Sequence, residues 1–276
     1  MKAKKIWIAA VAASALSLGL VGMTGSVNAA AGPVTKGTLR PAIHLAHRPA
    51  LSPQGIPVDY SGNWSGYVAL PEAGHTKSFK HVASAYQVPS VNCSVTNYAF
   101  SYHWVGLDGW TDGTVEQDGV GSFCVSGTPS YFAWYEMYPA GPTEEFSVNP
   151  GDAITSSVTY DGSGNYTMAL TDLTTGQSFN VGTSCAGTCA NSSAEVITEG
   201  YTSAPYNGTA DFGAEHYDTS TVTSQAGVHG GLTSTSWSTV ESVALGGTTG
   251  GIDTQPGPLY KVGKQSAFPI TWIQQN

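Results

Sequence analysis

From Asn63 onward the chain is a succession of short segments rich in Val, Tyr, Trp and Thr, divided by Gly, Pro, Asp and Asn, with no stretch of helical periodicity. That pattern restricts the fold to strands and turns. It predicts strands over Gly66–Leu70, Ala83–Val88, Phe100–Leu107, Tyr131–Tyr138, Ala153–Tyr160, Tyr166–Asp172, Ala194–Tyr201 and Phe268–Ile273, and a loop over Gly246–Gly251. Many short strands in a chain of this length predict an all-β sandwich. The residues after the first 30 suffice for one large β domain with its own core.

Alternate residues of a strand share a face. One face of the strand near residue 104 carries Tyr102, Trp104, Gly106 and Asp108. The next clear strand carries Trp134, Glu136 and Tyr138 together, and a later one Glu195, Ile197, Glu199 and Tyr201. A solvated face is richer in Thr, Ser and Lys, and a core face in Val, Ile and Leu. Aromatic residues mixed with acids point to a concave groove that binds an extended polymer.

The N-terminus reads differently. Lys2, Lys4 and Lys5 precede an apolar run from Ile6 to Val21, and small residues close the segment at Val27-Asn28-Ala29. This is the pattern of a secretory signal peptide over residues 1–29 and predicts a secreted, extracellular protein. Residues 30–57 are Pro-rich and basic, with Lys36, Arg40, His44, His47 and Arg48 and no acidic residue. They read as a propeptide without strand or helix, a cationic strap for the acidic domain at 58–276, with mature chains starting near residues 55–62.

Charge sharpens that contrast. All 19 acidic residues lie beyond residue 50, against four lysines there. Such a balance argues against nucleic acid or a membrane as partner. It suits acid conditions, where carboxylates are neutral and few cations accumulate to drive unfolding. No cofactor is expected, and the protein is expected to be a monomer.

Four cysteines in an exported chain predict two disulfides. Of three connectivities, the short loop around Gly187 favours Cys185 with Cys189, leaving Cys93 with Cys124. Neither spacing matches a zinc site, and no metal is expected. The common hydrolase signatures, Gly-x-Ser-x-Gly and His-Glu-x-x-His, are absent. The histidines beyond residue 57 make no motif, which leaves carboxylates and amides as the reactive groups.

Seven segments then fall in a known order. Asn63-Trp64-Ser65-Gly66, Trp104-Val105-Gly106-Leu107-Asp108-Gly109 and Gln117-Asp118-Gly119 come first. Ala133-Trp134-Tyr135-Glu136-Met137-Tyr138-Pro139, Leu173-Thr174-Thr175-Gly176-Gln177, Ala194-Glu195-Val196-Ile197-Thr198-Glu199 and Ala210-Asp211-Phe212-Gly213 follow. Together they resemble the glutamic peptidases, the eqolisin family. The resemblance implies a concanavalin-like β-sandwich of two antiparallel sheets with a concave substrate groove, and an acid-acting endopeptidase whose partners are protein and peptide substrates and its own propeptide. It also implies Glu199 and Gln117 as the catalytic pair. Glu199 would activate a water held between the two, and the Gln117 amide would stabilise the oxyanion. Trp64, Trp104, Asp108, Glu136, Tyr138 and Glu195 would line the groove, hold peptide and position the pair. Three positions depart from the family pattern: Asp118 replaces the usual Thr, Gly121 an Asp, and Gly200 an acidic residue. These departures bear on substrate preference. Two other functions fit a concave face with acids and aromatics, a β-sandwich glycoside hydrolase using Glu136 with Glu199 and a polysaccharide-binding module without catalysis.

Overall fold

The structure is a computed structural model of the full chain and describes residues 46–72, 79–185, 187–200, 208–246 and 251–274. The signal peptide, most of the leader, Tyr201 and most of the Gly246–Gly251 loop lie outside the described residues. The described residues form strands and turns without a helix. Strands are numbered along the chain.

The first sheet runs, in spatial order, β8 (Thr143–Ser147), β7 (Thr128–Tyr138), β6 (Val115–Val125), β5 (Tyr98–Leu107), β12 (Ala194–Glu199), β3 (Trp64–Leu70), β15 (Ser238–Leu245), β2 (Pro57–Ser61) and β1 (Ala46–Leu51). Every pair is antiparallel except β2 with β15. The second sheet runs β11 (Ser178–Ser184), β10 (Asn165–Asp172), β9 (Ala153–Tyr160), β4 (Phe79–Gln87), β13 (Ala214–Ser224) and β14 (His229–Gly230).

Strand β13 joins the two layers. Its later half pairs with β4, and its first half pairs with β18 (Gln265–Trp272), with a register shift between Tyr217 and Ser220. Strand β18 carries β16 (Ile252–Pro256) and β17 (Tyr260–Val262), and β16 pairs back to β15. The strands thus curve nearly into a barrel.

Alternation builds the core between the sheets. Strand β9 turns Ile154, Ser156 and Val158 inward, and β10 turns Tyr166, Met168 and Leu170 inward. Val105, Leu107, Val120 and Ala133 face them from the first sheet. Each large apolar side chain buried this way stabilises the fold by about 1.5–3 kcal/mol. Two disulfides, Cys93–Cys124 and Cys185–Cys189, match the expected pairing.

The structure holds strands beyond the eight that the sequence reading named, and two of them run against their composition. A strand, β1, lies inside the leader and pairs with β2, Ala46 opposite Ser61 and Leu51 opposite Pro57. The segment has Pro49 and no alternation to announce a strand. It forms because β2 offers it an unpaired edge. Strand β6 was likewise not expected, since Gly119, Gly121 and its acids lower β propensity. It lies buried on both faces between β5 and β7, and tertiary pairing overrides composition.

Candidate active site

The outer face of the first sheet, turned away from the second, carries a second buried cluster. Its members include Trp64, Val68, Phe100, Tyr102, Trp104, Phe123, Phe132, Trp134 and Ile197, all drawn from that one sheet. Register arranges the face in rows. One row reads Trp64, Glu199, Tyr102, Gly121, Phe132; the next Gly66, Ile197, Trp104, Gly119, Trp134; the third Val68, Glu195, Gly106, Gln117, Glu136.

Glu199 and Gln117 therefore share a face but stand two rows and two strands apart. In a flat sheet that offset is about 13 Å along the strands and about 10 Å across them. Among the described residues no hydrogen bond joins the two. The indole of Trp104 lies along part of that offset. The Trp104 Nε1 donates to Glu199 Oε2 at 3.2 Å, while the six-membered ring leans over Gly106 toward the row of Gln117. A Cβ at position 106 would lie 2.8 Å from that ring, so this position requires glycine. Trp64 braces the indole edge-on, with ring centroids 4.9 Å apart and planes at 78°.

The carboxylate of Glu199 is held from both ends. Asn63 Nδ2 donates to Oε1 at 3.1 Å, opposite the Trp104 bond to Oε2. Asn63 is itself fixed by Ser61, whose hydroxyl donates to Asn63 Oδ1 and accepts the backbone N–H groups of Asn63 and Trp64. The sequence reading quoted Asn63 within a motif but gave it no role; its place beside Trp64 in that motif was the available signal.

Gln117 is 1 % exposed, and its Nε2 donates to Glu136 Oε2 at 2.7 Å. Its Oε1 has no hydrogen-bond partner among the described residues. Glu136 thus orients the amide, leaving Oε1 and the second Nε2 hydrogen for another group. Tyr138 ends β7 half-buried, packed against the aromatic cluster.

Asp108 and Glu195 lie at the far end. The backbone at Asp108 is left-handed, with φ 71°, so the residue leaves the alternation of β5. Its carboxylate accepts the backbone N–H groups of Asn191 at 2.7 Å and Ser192 at 2.6 Å and braces the loop leading into β12. Burial first, then Asp112, holds the Asp108 carboxyl up at about 6, against those two donors. Glu195 is fully buried, and burial pushes its carboxyl well above the usual range, with Asp108, Asp112 and Glu116 adding to the rise. Among the described residues no group of three His, Cys, Asp or Glu side chains is placed to hold a metal ion.

On the opposite face of β5 and β12 lies a polar network the sequence did not reveal. His103 Nδ1 lies 2.7 Å from Glu215 Oε2, and the side chains are 0 % and 2 % exposed. Thr198 Oγ1 donates to Glu215 Oε1 at 2.6 Å, and His103 Nε2 meets Ser101 Oγ at 2.9 Å. His103 and Thr198 immediately precede Trp104 and Glu199 in the chain. Serine, histidine and carboxylate do come together here, but Ser101 and His103 are sealed between the sheets, and the set serves packing.

The outer face of this β-sandwich thus brings together a clamped carboxylate, an oriented amide and indole rings. Comparison with known proteins gives its family. Residues 62–249 match the Peptidase A4 family, so the chain belongs to that family, the glutamic peptidases its motifs resemble. Scytalido-glutamic peptidase, solved with a transition-state analogue inhibitor, superposes with a TM-score of 0.62 at 23 % identity, over 77 % of this chain and 98 % of that one. SCP-B, an eqolisin in complex with the tripeptide Ala-Ile-His, superposes with a TM-score of 0.61 at 22 % identity over the same shares. The aspergilloglutamic peptidase of Aspergillus niger superposes with a TM-score of 0.52 at 26 % identity, over 63 % of this chain and 99 % of that one. No curated protein sequence matches.

Proposed function

We propose that this peptidase is a secreted, acid-acting endopeptidase in which Glu199 is the general base and Gln117 the oxyanion stabiliser. The observation that carries the reading is the clamp on Glu199. Asn63 and Trp104 bring an N–H group to each of its oxygens, and donors suit the carboxylate form that a base must have. Glu199 takes a proton from a water held toward Gln117, and that water attacks the scissile carbonyl carbon. The free Nε2 hydrogen of Gln117 meets the developing oxyanion. Protonated Glu199 then returns its proton to the leaving nitrogen as the C–N bond breaks.

Peptide lies along the outer face, with Trp64, Trp104, Glu136 and Tyr138 beside it. Asp108 and Glu195 act one step removed, through the loop before β12 and the strand that carries Glu199. The basic leader is the propeptide. Strand β1 adds the leader to the edge of the first sheet, with Ala46 opposite Ser61, the residue that fixes Asn63. Its cations match a face of carboxylates, and Trp104 and Glu199 are fully buried in the full-length chain. Acid neutralises the carboxylates and releases the leader.

The test is cleavage of denatured casein or haemoglobin between pH 2 and 7 by wild type, Glu199→Gln and Gln117→Ala. The expected result is acid-limited cleavage that is lost in Glu199→Gln. A Glu199→Gln enzyme as active as wild type overturns the mechanism. N-terminal sequencing of the active form should find a start near residues 55–62, and a start at Ala30 overturns the propeptide.

A further inference from the structure

The residue after Gln117 on β6 points the other way, into the core between the sheets. Asp118 stands opposite Val105 on β5 and Tyr135 on β7 and is 0 % exposed. Neither of its oxygens has a hydrogen-bond partner among the described residues, and burial pushes its carboxyl well above the usual range. The sequence resemblance marks this position as one where Thr is usual, so a carboxyl here is this chain's own feature. The donors nearby are already committed. Tyr86 on β4 gives its one hydroxyl hydrogen to the His103 carbonyl oxygen on β5 at 3.1 Å. Across the 2.8 Å contact between Tyr86 and Ser156 of β9, the serine is therefore the donor. This bridge of two bonds ties the second sheet to β5. The same His103 carbonyl lies where β5 and β6 approach most closely, since a Cβ on Gly119 would collide with it. No cation answers Asp118. Glu116 on its own strand, Tyr135 on β7, Tyr86 on β4 and Tyr166 on β10 bring no positive charge, and β9 turns only Ile154, Ser156 and Val158 inward. His103 is the one base, and its ring nitrogens meet Ser101 and Glu215.

A carboxylate base accounts for activity lost in strong acid, where it is protonated. It does not account for activity lost toward neutral pH, which requires a second group that must keep its proton. We infer that Asp118 is that group, a positioning residue whose neutral carboxyl lets β6 hold Gln117 in place and whose ionisation unseats it. The inference rests on the peptidase reading of Glu199 and Gln117. As the neutral acid, Asp118 leaves the bridge through Tyr86 whole, and the Gln117 amide stays on Glu136. On ionisation its proton leaves to solvent, and the carboxylate draws the Ser156 hydrogen away from Tyr86. The charge left between the sheets has no counter-ion and is costly there. Strand β6 is pushed outward to relieve it, and Gln117, the adjacent residue, moves with the strand.

The test measures kcat and KM on one peptide from pH 3 to 7 for acid-activated wild type, Asp118→Asn and, should that variant not fold, Asp118→Thr. Hydrogen exchange over residues 115–125 is followed in the same proteins at pH 4 and pH 6. Wild type is expected to lose kcat between pH 4 and 6 with KM little changed. The variant is expected to raise the ratio of kcat at pH 6 to kcat at pH 4 about tenfold, which moves the neutral limb up by about one pH unit. Exchange over 115–125 should be faster in wild type than in the variant at pH 6 and equal at pH 4. A neutral limb that stays in place overturns the assignment and leaves the peptidase reading intact. So does an equal loss of kcat at every pH, the mark of a merely structural role. A wild type that cleaves no peptide overturns the peptidase reading; equal exchange at pH 6 separately overturns the loosening of β6 by Asp118.

Discussion

Burial of Asp253 is expected to favour the folded domain in acid over neutral pH. The residue is 4 % exposed, and its Oδ2 accepts both the backbone N–H and the hydroxyl of Thr209. Oδ1 has no partner among the described residues. Burial raises the carboxyl from 3.8 to about 6, and the two Thr209 donors only partly oppose it. The sign follows from proton linkage. Below about 3.8 both folded and unfolded chains hold the proton and the group is neutral to stability. As pH rises the unfolded chain ionises first, so stability falls until the folded carboxyl also ionises near 6. Each pH unit between the two values is worth 1.36 kcal/mol, so Asp253 alone lowers stability by about 3 kcal/mol between pH 3 and 7. For a domain of this size that is roughly 6–12 °C in Tm. Asp108, also at about 6, and Glu116, Asp118 and Glu195, all pushed up by burial, act in the same direction. The assay is denaturant unfolding of wild type and Asp253→Asn at pH 3, 4, 5, 6 and 7. Stability should fall with pH in wild type, and the total fall from pH 3 to 7 should be smaller by about 3 kcal/mol in Asp253→Asn. Wild-type stability that rises from pH 3 to 7, or an unchanged slope in Asp253→Asn, refutes the reasoning.

Three further outcomes are expected. Glu215→Ala strands His103 and Thr198 between the sheets and should cost about 3–5 kcal/mol by thermal or denaturant melts; a loss below about 1 kcal/mol would mean the pair is not buried as described. Gly106→Ala drives a Cβ into the Trp104 ring and displaces the donor to Glu199. It should lower kcat about a hundredfold in casein cleavage and cost about 1–3 kcal/mol of stability through overpacking. Asn63→Ala removes one N–H donor from Glu199, a charged hydrogen bond worth about 1.5–3 kcal/mol. The acid limb of the pH–rate profile should move to higher pH; a profile that only scales down leaves Asn63 without the assigned role.

The sequence alone determined the class of the fold and the family. Alternation of Val, Tyr and Trp with turn residues is a local property, and strands β9 and β10 fell within a residue of expectation because one face of each is buried and the other wet. The seven ordered motifs are local too, and they carried the family. Tertiary structure decided what depends on neighbours distant in sequence. Strand β6 is held by β5 and β7 against its own glycines and acids, and β1 by the edge of β2. The pairing of Asn63 and Trp104 with Glu199 spans 136 and 95 residues, and the His103–Glu215 contact brings together two residues with no motif between them. Asp108 leaves the face that alternation assigned it because one left-handed residue turns the chain. Periodicity says which face a side chain occupies; only register, curvature and close packing say what it meets there.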